Sequence, residues 1–169
     1  MLVVDNFISE KERDLLIDSF SSAIDKYATP NDELGTDSAI SLTSFSRGNC
    51  SDDPELTDQL LADIEDRFAN VIEPWTDGHF GADWLLRMAP GRGLKLHTDT
   101  GVRPDKGFVE TGVLNLNVGI SEYHVEGEII ALGDRSLLFA NTSMTHGFDF
   151  DALESTDRRR YSLLFREDW

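Results

Sequence analysis

A chain of 169 residues with 40% hydrophobic content is sized for one domain, 1–169, closing a single core. Its 15 Lys and Arg against 32 Asp and Glu give a formal net charge of −17, which repels phosphate backbones and anionic surfaces and argues against nucleic acid and membranes as partners. The lone Cys50 excludes an internal disulfide and a Cys-x-x-Cys zinc site, and no run approaches the roughly 20 apolar residues of a membrane span, so a cytoplasmic protein is expected.

Met1 to Val4 is a short apolar run that reads as a strand. Ser9-Glu10-Lys11-Glu12 has the Ser-x-x-Glu form of a capping box, and Leu15, Leu16, Phe20 and Ile24 follow at the spacing of an amphipathic helix. Tyr27 to Cys50, rich in Thr, Asn, Asp, Gly and Ser, reads as irregular, with a strand near Ile40 to Phe45. Asp52-Asp53-Pro54 supplies a cap and a first-turn proline for a second helix, whose Leu56, Leu60, Ile64, Phe68 and Ile72 fall on one face.

From Trp84 onward the texture changes. Short apolar runs occur at Trp84 to Met88, Leu94 to His97, Val113 to Val118, Glu128 to Leu132, Ser136 to Phe139, Gly147 to Phe150 and Tyr161 to Phe165. Between them stand turn residues such as Pro90-Gly91-Arg92-Gly93, Arg103-Pro104-Asp105-Lys106-Gly107 and Gly133-Asp134. The expected class is mainly β with flanking helices (α+β), a barrel or sandwich buttressed by the two helices.

His97 and Asp99 sit two apart at the end of a predicted strand, where a period of two puts both side chains on one face. His146 lies beside another predicted strand some fifty residues on, with enough intervening strands to return it opposite the pair. Two imidazoles and a carboxylate form the facial triad that suits non-haem Fe(II) and leaves three coordination positions open. Zinc accepts the same ligand types, but no His-Glu-x-x-His helix supplies a base here. Arg160 and Ser162 share a face of the last predicted strand, where a guanidinium and a hydroxyl together can hold a carboxylate. Asn115 and Asn117 alternate with Leu114 and Leu116; if that face points inward, Asn117 reaches cosubstrate or substrate. His124-Val125-Glu126 is a second His-x-carboxylate pair, and His79 in a turn is expected to face solvent.

Taken in order, these features resemble the Fe(II)/2-oxoglutarate-dependent dioxygenase superfamily. The resemblance is carried by Val4-Asp5-Asn6-Phe7-Ile8-Ser9 before a helix, Pro90-Gly91 before His97-Thr98-Asp99, and the strand Val113 to Val118. It continues with Gly133-Asp134-Arg135-Ser136-Leu137-Leu138-Phe139 before Thr145-His146-Gly147, and the closing Arg160-Tyr161-Ser162. Nearest are the aspartyl/asparaginyl-hydroxylase-like and prolyl-hydroxylase-like branches, including small members found in phages, although Arg160 stands where prolyl hydroxylases usually present a lysine.

The resemblance implies a double-stranded β-helix (jelly-roll) core, Fe(II) held by His97, Asp99 and His146, and 2-oxoglutarate anchored by Arg160 and Ser162. It implies a hydroxylase that consumes O2 and acts on a peptide or small molecule, with 27–50 and 100–110 as loops over the site. A cupin-like metal-binding enzyme, or an acidic binding module without 2-oxoglutarate turnover, is the alternative; His124 and Glu126 belong to the former.

Overall fold

The computed structural model describes residues 1–27, 29–31, 36–42, 53–88, 94–98, 110–117, 121–125, 127–143, 145–149 and 160–167; within these, the side chains at 22–27, 29–31, 36–41, 88, 94, 95, 121, 148, 149 and 160 lie outside the description. In chain order the elements are β1 (Leu2–Val4), α1 (Glu10–Tyr27), β2 (Thr29–Asn31), β3 (Thr36–Ser41), α2 (Pro54–Ile72), β4 (Phe80–Met88), β5 (Leu94–His97), β6 (Glu110–Asn115), β7 (Ser121–Val125), β8 (Glu128–Leu132), β9 (Leu137–Asn141), β10 (His146–Asp149) and β11 (Arg160–Glu167). Among the described residues, no helix is long and apolar enough to cross a membrane.

Both helices start where their caps predict. The Ser9 amide donates to Glu12 Oε2 at 2.7 Å and the Glu12 amide donates to Ser9 Oγ at 3.2 Å, the reciprocal pair of a capping box. At α2, Asp53 accepts from the Leu56 amide at 3.2 Å and Pro54 occupies the first turn, where its missing N–H costs nothing. The buried stripe of α2 is Leu60, Leu61, Ile64, Phe68 and Ile72. Leu56, expected on that stripe, is 42% exposed, and its neighbour Thr57, at 0%, is the buried residue of the first turn instead.

The strands pair antiparallel throughout the described residues and form two sheets, a jelly-roll core. The larger runs β1-β9-β6-β11-β4-β3-β2 and the smaller β5-β10-β7-β8. Side chains alternate across each strand, so the large sheet serves two cores. One face of it, with Ala82, Leu85, Leu114, Leu137, Phe139, Leu163 and Phe165, packs against α1 and α2. The opposite face, with Val113, Leu138 and Ala140, meets Tyr123, Val125 and Leu132 of the small sheet. That second, smaller core is the interior between the sheets.

Phe68 of α2 seals the helix side. It stacks on Phe165 with ring centroids 4.3 Å apart and meets Phe80 and Phe139 edge-on at 5.9 Å each. Such offset and edge contacts are the favoured aromatic geometries. Gly112 on β6 leaves the ring its space, since a Cβ there would come within 2.5 Å of Phe68 Cζ.

Several strands differ from their expected limits. The strand expected near Ile40 to Phe45 is β3, ending at Ser41, with 43–45 outside the described residues. β2, inside a stretch read as irregular, is three residues at a sheet edge, too short for any sequence period to register. β4 begins at Phe80, ahead of the expected Trp84, because its first three residues, Phe80, Gly81 and Ala82, pair with the end of β11.

Candidate functional site

The small sheet brings the two predicted imidazole ligands together. His97 ends β5 and His146 begins β10, and they are direct partners in the antiparallel ladder. Cross-strand partners project to the same face, and here the ring centroids lie 4.3 Å apart with a 51° tilt. His146 is also opposite Val125, a residue of the core between the sheets, which fixes that face as the inner one. Both histidines are half-buried. Two imidazoles this close, on paired residues at strand ends, fit two ligands of one metal ion.

Asp99, two residues past His97, lies outside the described residues. Among the described residues no group of three His, Cys, Asp or Glu side chains converges on a metal site. Of the second His-x-carboxylate pair, His124 is opposite Gly147 and so on the outer face of β7, away from His97 and His146, while Glu126 lies outside the described residues. His79 is exposed, as expected.

The large sheet supplies the facing wall. Ser162 of β11 is opposite Asn115 of β6 and Leu86 of β4, and it is completely buried. Its neighbour Leu164 packs into the core between the sheets, so Ser162 faces that interior too. Arg160, two residues earlier, pairs through its backbone with Met88, and its side chain lies outside the described residues.

Asn117 has a definite task in this wall. Its Oδ1 accepts the Tyr161 amide at 2.9 Å, while the Leu116 amide donates to the Tyr161 carbonyl at 2.9 Å. These two bonds continue the β6–β11 ladder beyond the end of β6 and hold the backbone residue that stands between Arg160 and Ser162.

Two residues complete the interior: Asn115, which the sequence placed on a polar strand face without a task of its own, and Tyr123, which it did not single out. Asn115 is fully buried, and its Oδ1 accepts from Tyr123 Oη at 3.0 Å and from Ser162 Oγ at 3.2 Å. Its backbone is fixed as well, donating to the Ser136 carbonyl at 3.0 Å and accepting from the Arg135 amide at 2.8 Å. Arg135, not Gly133, takes the left-handed conformation in that turn, at φ 61°. Tyr123 comes from β7 of the small sheet, so its hydrogen bond to Asn115 crosses from one sheet to the other. Burial drives the Tyr123 phenol far above the usual tyrosine range, and hydrogen bonding with Ser162 offsets only part of that, so the group stays a protonated donor. The sequence signal for this cluster was the asparagine inside Val113-Leu114-Asn115-Leu116, a polar residue in an otherwise apolar strand.

No family model matches the chain, and no curated protein matches it. Solved structures do. A prolyl-4-hydroxylase from Pseudomonas putida superposes with a TM-score of 0.69 at 16% identity, over 99% of this chain and 92% of that one. The viral collagen prolyl hydroxylase of Paramecium bursaria Chlorella virus-1, in complex with 2-oxoglutarate, gives 0.61 at 17% identity over 99% and 96%. The chain has the fold of these prolyl hydroxylases. HygX from Streptomyces hygroscopicus, solved with nickel and 2-oxoglutarate bound, shares that fold with a TM-score of 0.62 at 11% identity, over 99% of this chain and 83% of its own.

Proposed function

We propose that this chain is a non-haem Fe(II)- and 2-oxoglutarate-dependent oxygenase, a hydroxylase of a peptide or small molecule. The observation that carries the reading is the meeting of His97 and His146 on the inner face of the small sheet, rings 4.3 Å apart. Asp99 completes the ligand set, supplying the negative charge that a divalent ion needs beside two neutral imidazoles. The presence of 2-oxoglutarate in the viral hydroxylase, and of nickel with 2-oxoglutarate in HygX, supports the use of a metal ion together with 2-oxoglutarate here.

Bound at this site, Fe(II) with 2-oxoglutarate supplies O2 activation coupled to decarboxylation of the cosubstrate to succinate and CO2, with oxidation of a substrate C–H bond. The chain's own contribution is position and dryness. His97 and His146 orient the metal end at the mouths of β5 and β10. Arg160 anchors the far carboxylate by a charge-assisted, forked pair, and Ser162 and Asn115 line the wall beneath it. Asn117 acts through the backbone, holding Tyr161 so that its two neighbours keep their register. The apolar residues Val113, Val125 and Leu138 exclude water from the interior between the sheets.

With Fe(II), ascorbate and 2-oxoglutarate, the purified protein should release succinate slowly, and peptides or small metabolites should accelerate it. The formal charge of −17 opposes any approach by nucleic acid. Succinate release no faster than from a folded His146→Ala control, with every added compound, contradicts the reading. Strong, salt-sensitive stimulation by DNA or RNA overturns the choice of substrate class alone.

A further inference from the structure

We propose that Tyr123, acting as a strut between the two sheets, sets the length of the 2-oxo dicarboxylate that the site admits, an inference that rests on the oxygenase reading above. Along β7, Val125 is level with His146 and Tyr123 is level with Phe148. Two residues of strand separate those levels by roughly 6.6 Å. At the deeper level the phenol spans the interior and donates to Asn115 of β6 at 3.0 Å, and Ser162 of β11 donates to the same oxygen at 3.2 Å.

An amide oxygen has two lone pairs, so the two hydroxyls tie three strands from two sheets to one acceptor. The knot is buried, with Asn115 and Ser162 at 0% exposure and Tyr123 at 3%. Asn115 cannot retreat, because its backbone is bonded on both sides to the Arg135–Ser136 turn.

A diacid held at the histidine level and running towards Ser162 therefore meets a fixed floor. The separation of the two levels is comparable to the span of a five-carbon 2-oxo diacid. One more methylene must push the phenol away from Asn115, leaving a buried acceptor short of a donor, which is costly in so dry a place. The strut is thus a specificity-determining group for the cosubstrate rather than a metal ligand.

The test is anaerobic calorimetric titration of the nickel-loaded protein with 2-oxoglutarate and with the six-carbon 2-oxoadipate. Wild type, Tyr123→Phe and Tyr123→Leu are compared, and nickel affinity is measured in each. Wild type should favour 2-oxoglutarate by about tenfold or more; Tyr123→Leu, which shortens the strut, should lower that preference by about tenfold, chiefly through tighter binding of 2-oxoadipate. Tyr123→Phe keeps the ring but frees it from Asn115, and should move the preference part of the way. Nickel affinity should not change. A preference within about twofold of wild type in both variants overturns the assignment of Tyr123 while the functional reading stands. Failure of nickel-loaded wild type to bind either diacid overturns both together. If Tyr123→Leu does not melt cooperatively, Tyr123→Phe decides the matter, since it removes one oxygen atom and keeps the ring.

Discussion

A methyl group at Gly112 would lie 2.5 Å from Phe68 Cζ and 3.2 Å from Phe165 Cβ. Phe68 has little room to turn aside, since Phe80, Phe139 and Phe165 surround it. Gly112→Ala should therefore lower the unfolding free energy by about 1–3 kcal/mol, the usual range for overpacking a tight core. Urea denaturation checks this, and an unchanged midpoint would mean that the ring shifts freely. At Arg160 the expected loss is functional. Arg160→Ala should weaken 2-oxoglutarate binding by about ten- to a hundredfold, the equivalent of about 1.5–3 kcal/mol for a charge-assisted contact, with metal affinity unchanged. An unchanged 2-oxoglutarate affinity would move the anchor to another residue. The histidine pair was legible in the sequence because imidazoles are rare in this chain, four in all, and two of them flank predicted strand ends. Tyr123 was not legible. An aromatic residue in an alternating strand looks like ordinary core, and its partners Asn115 and Ser162 stand on other strands, so only the folded pairing shows that three polar groups meet.

The helices were the most readable elements, because caps are local chemistry. The Ser9–Glu12 capping box formed as its sequence suggests, and it also holds the two helices together. Arg67 of α2 donates to Glu12 Oε1 at 2.5 Å and lies 5.7 Å from the centre of the Phe7 ring. Burial pushes the Glu12 carboxyl up, but the Ser9 amide and hydroxyl and the Arg67 guanidinium together outweigh it and hold it below its ordinary value of 4.5. A depressed folded pKa means stability that is present above the unfolded value and is lost as pH falls through the folded one. Glu12→Gln should thus flatten the acid limb of the stability–pH curve below about pH 4.5, while costing some stability at neutral pH. An acid limb identical to that of wild type would remove Glu12 from the account. Strand limits were less readable than helix limits. β4 is lengthened and β2 created by neighbours that the local sequence does not display, and at the start of α2 the buried position is Thr57 rather than the apolar Leu56.

For the whole molecule, a barrel or sandwich could be anticipated from the density of short strands after Trp84, the family resemblance narrowed it to a jelly-roll, and its two cores follow from alternation across one shared sheet. What no local pattern could supply is the sheet order, in which β5 and β10, nearly fifty residues apart, become neighbours and set His97 against His146. Under the proposed function this junction, with Asp99, holds Fe(II) in a form that 2-oxoglutarate can chelate. The most direct test is visible absorption on adding Fe(II) and 2-oxoglutarate together without oxygen. Wild type should develop the weak charge-transfer band of the chelate, needing both components. Asp99→Ala and His146→Ala, if still folded by their melting transitions, should show none, because each has lost one of three ligands. A folded wild type without the band, or a folded variant in which it is undiminished, would contradict the claim.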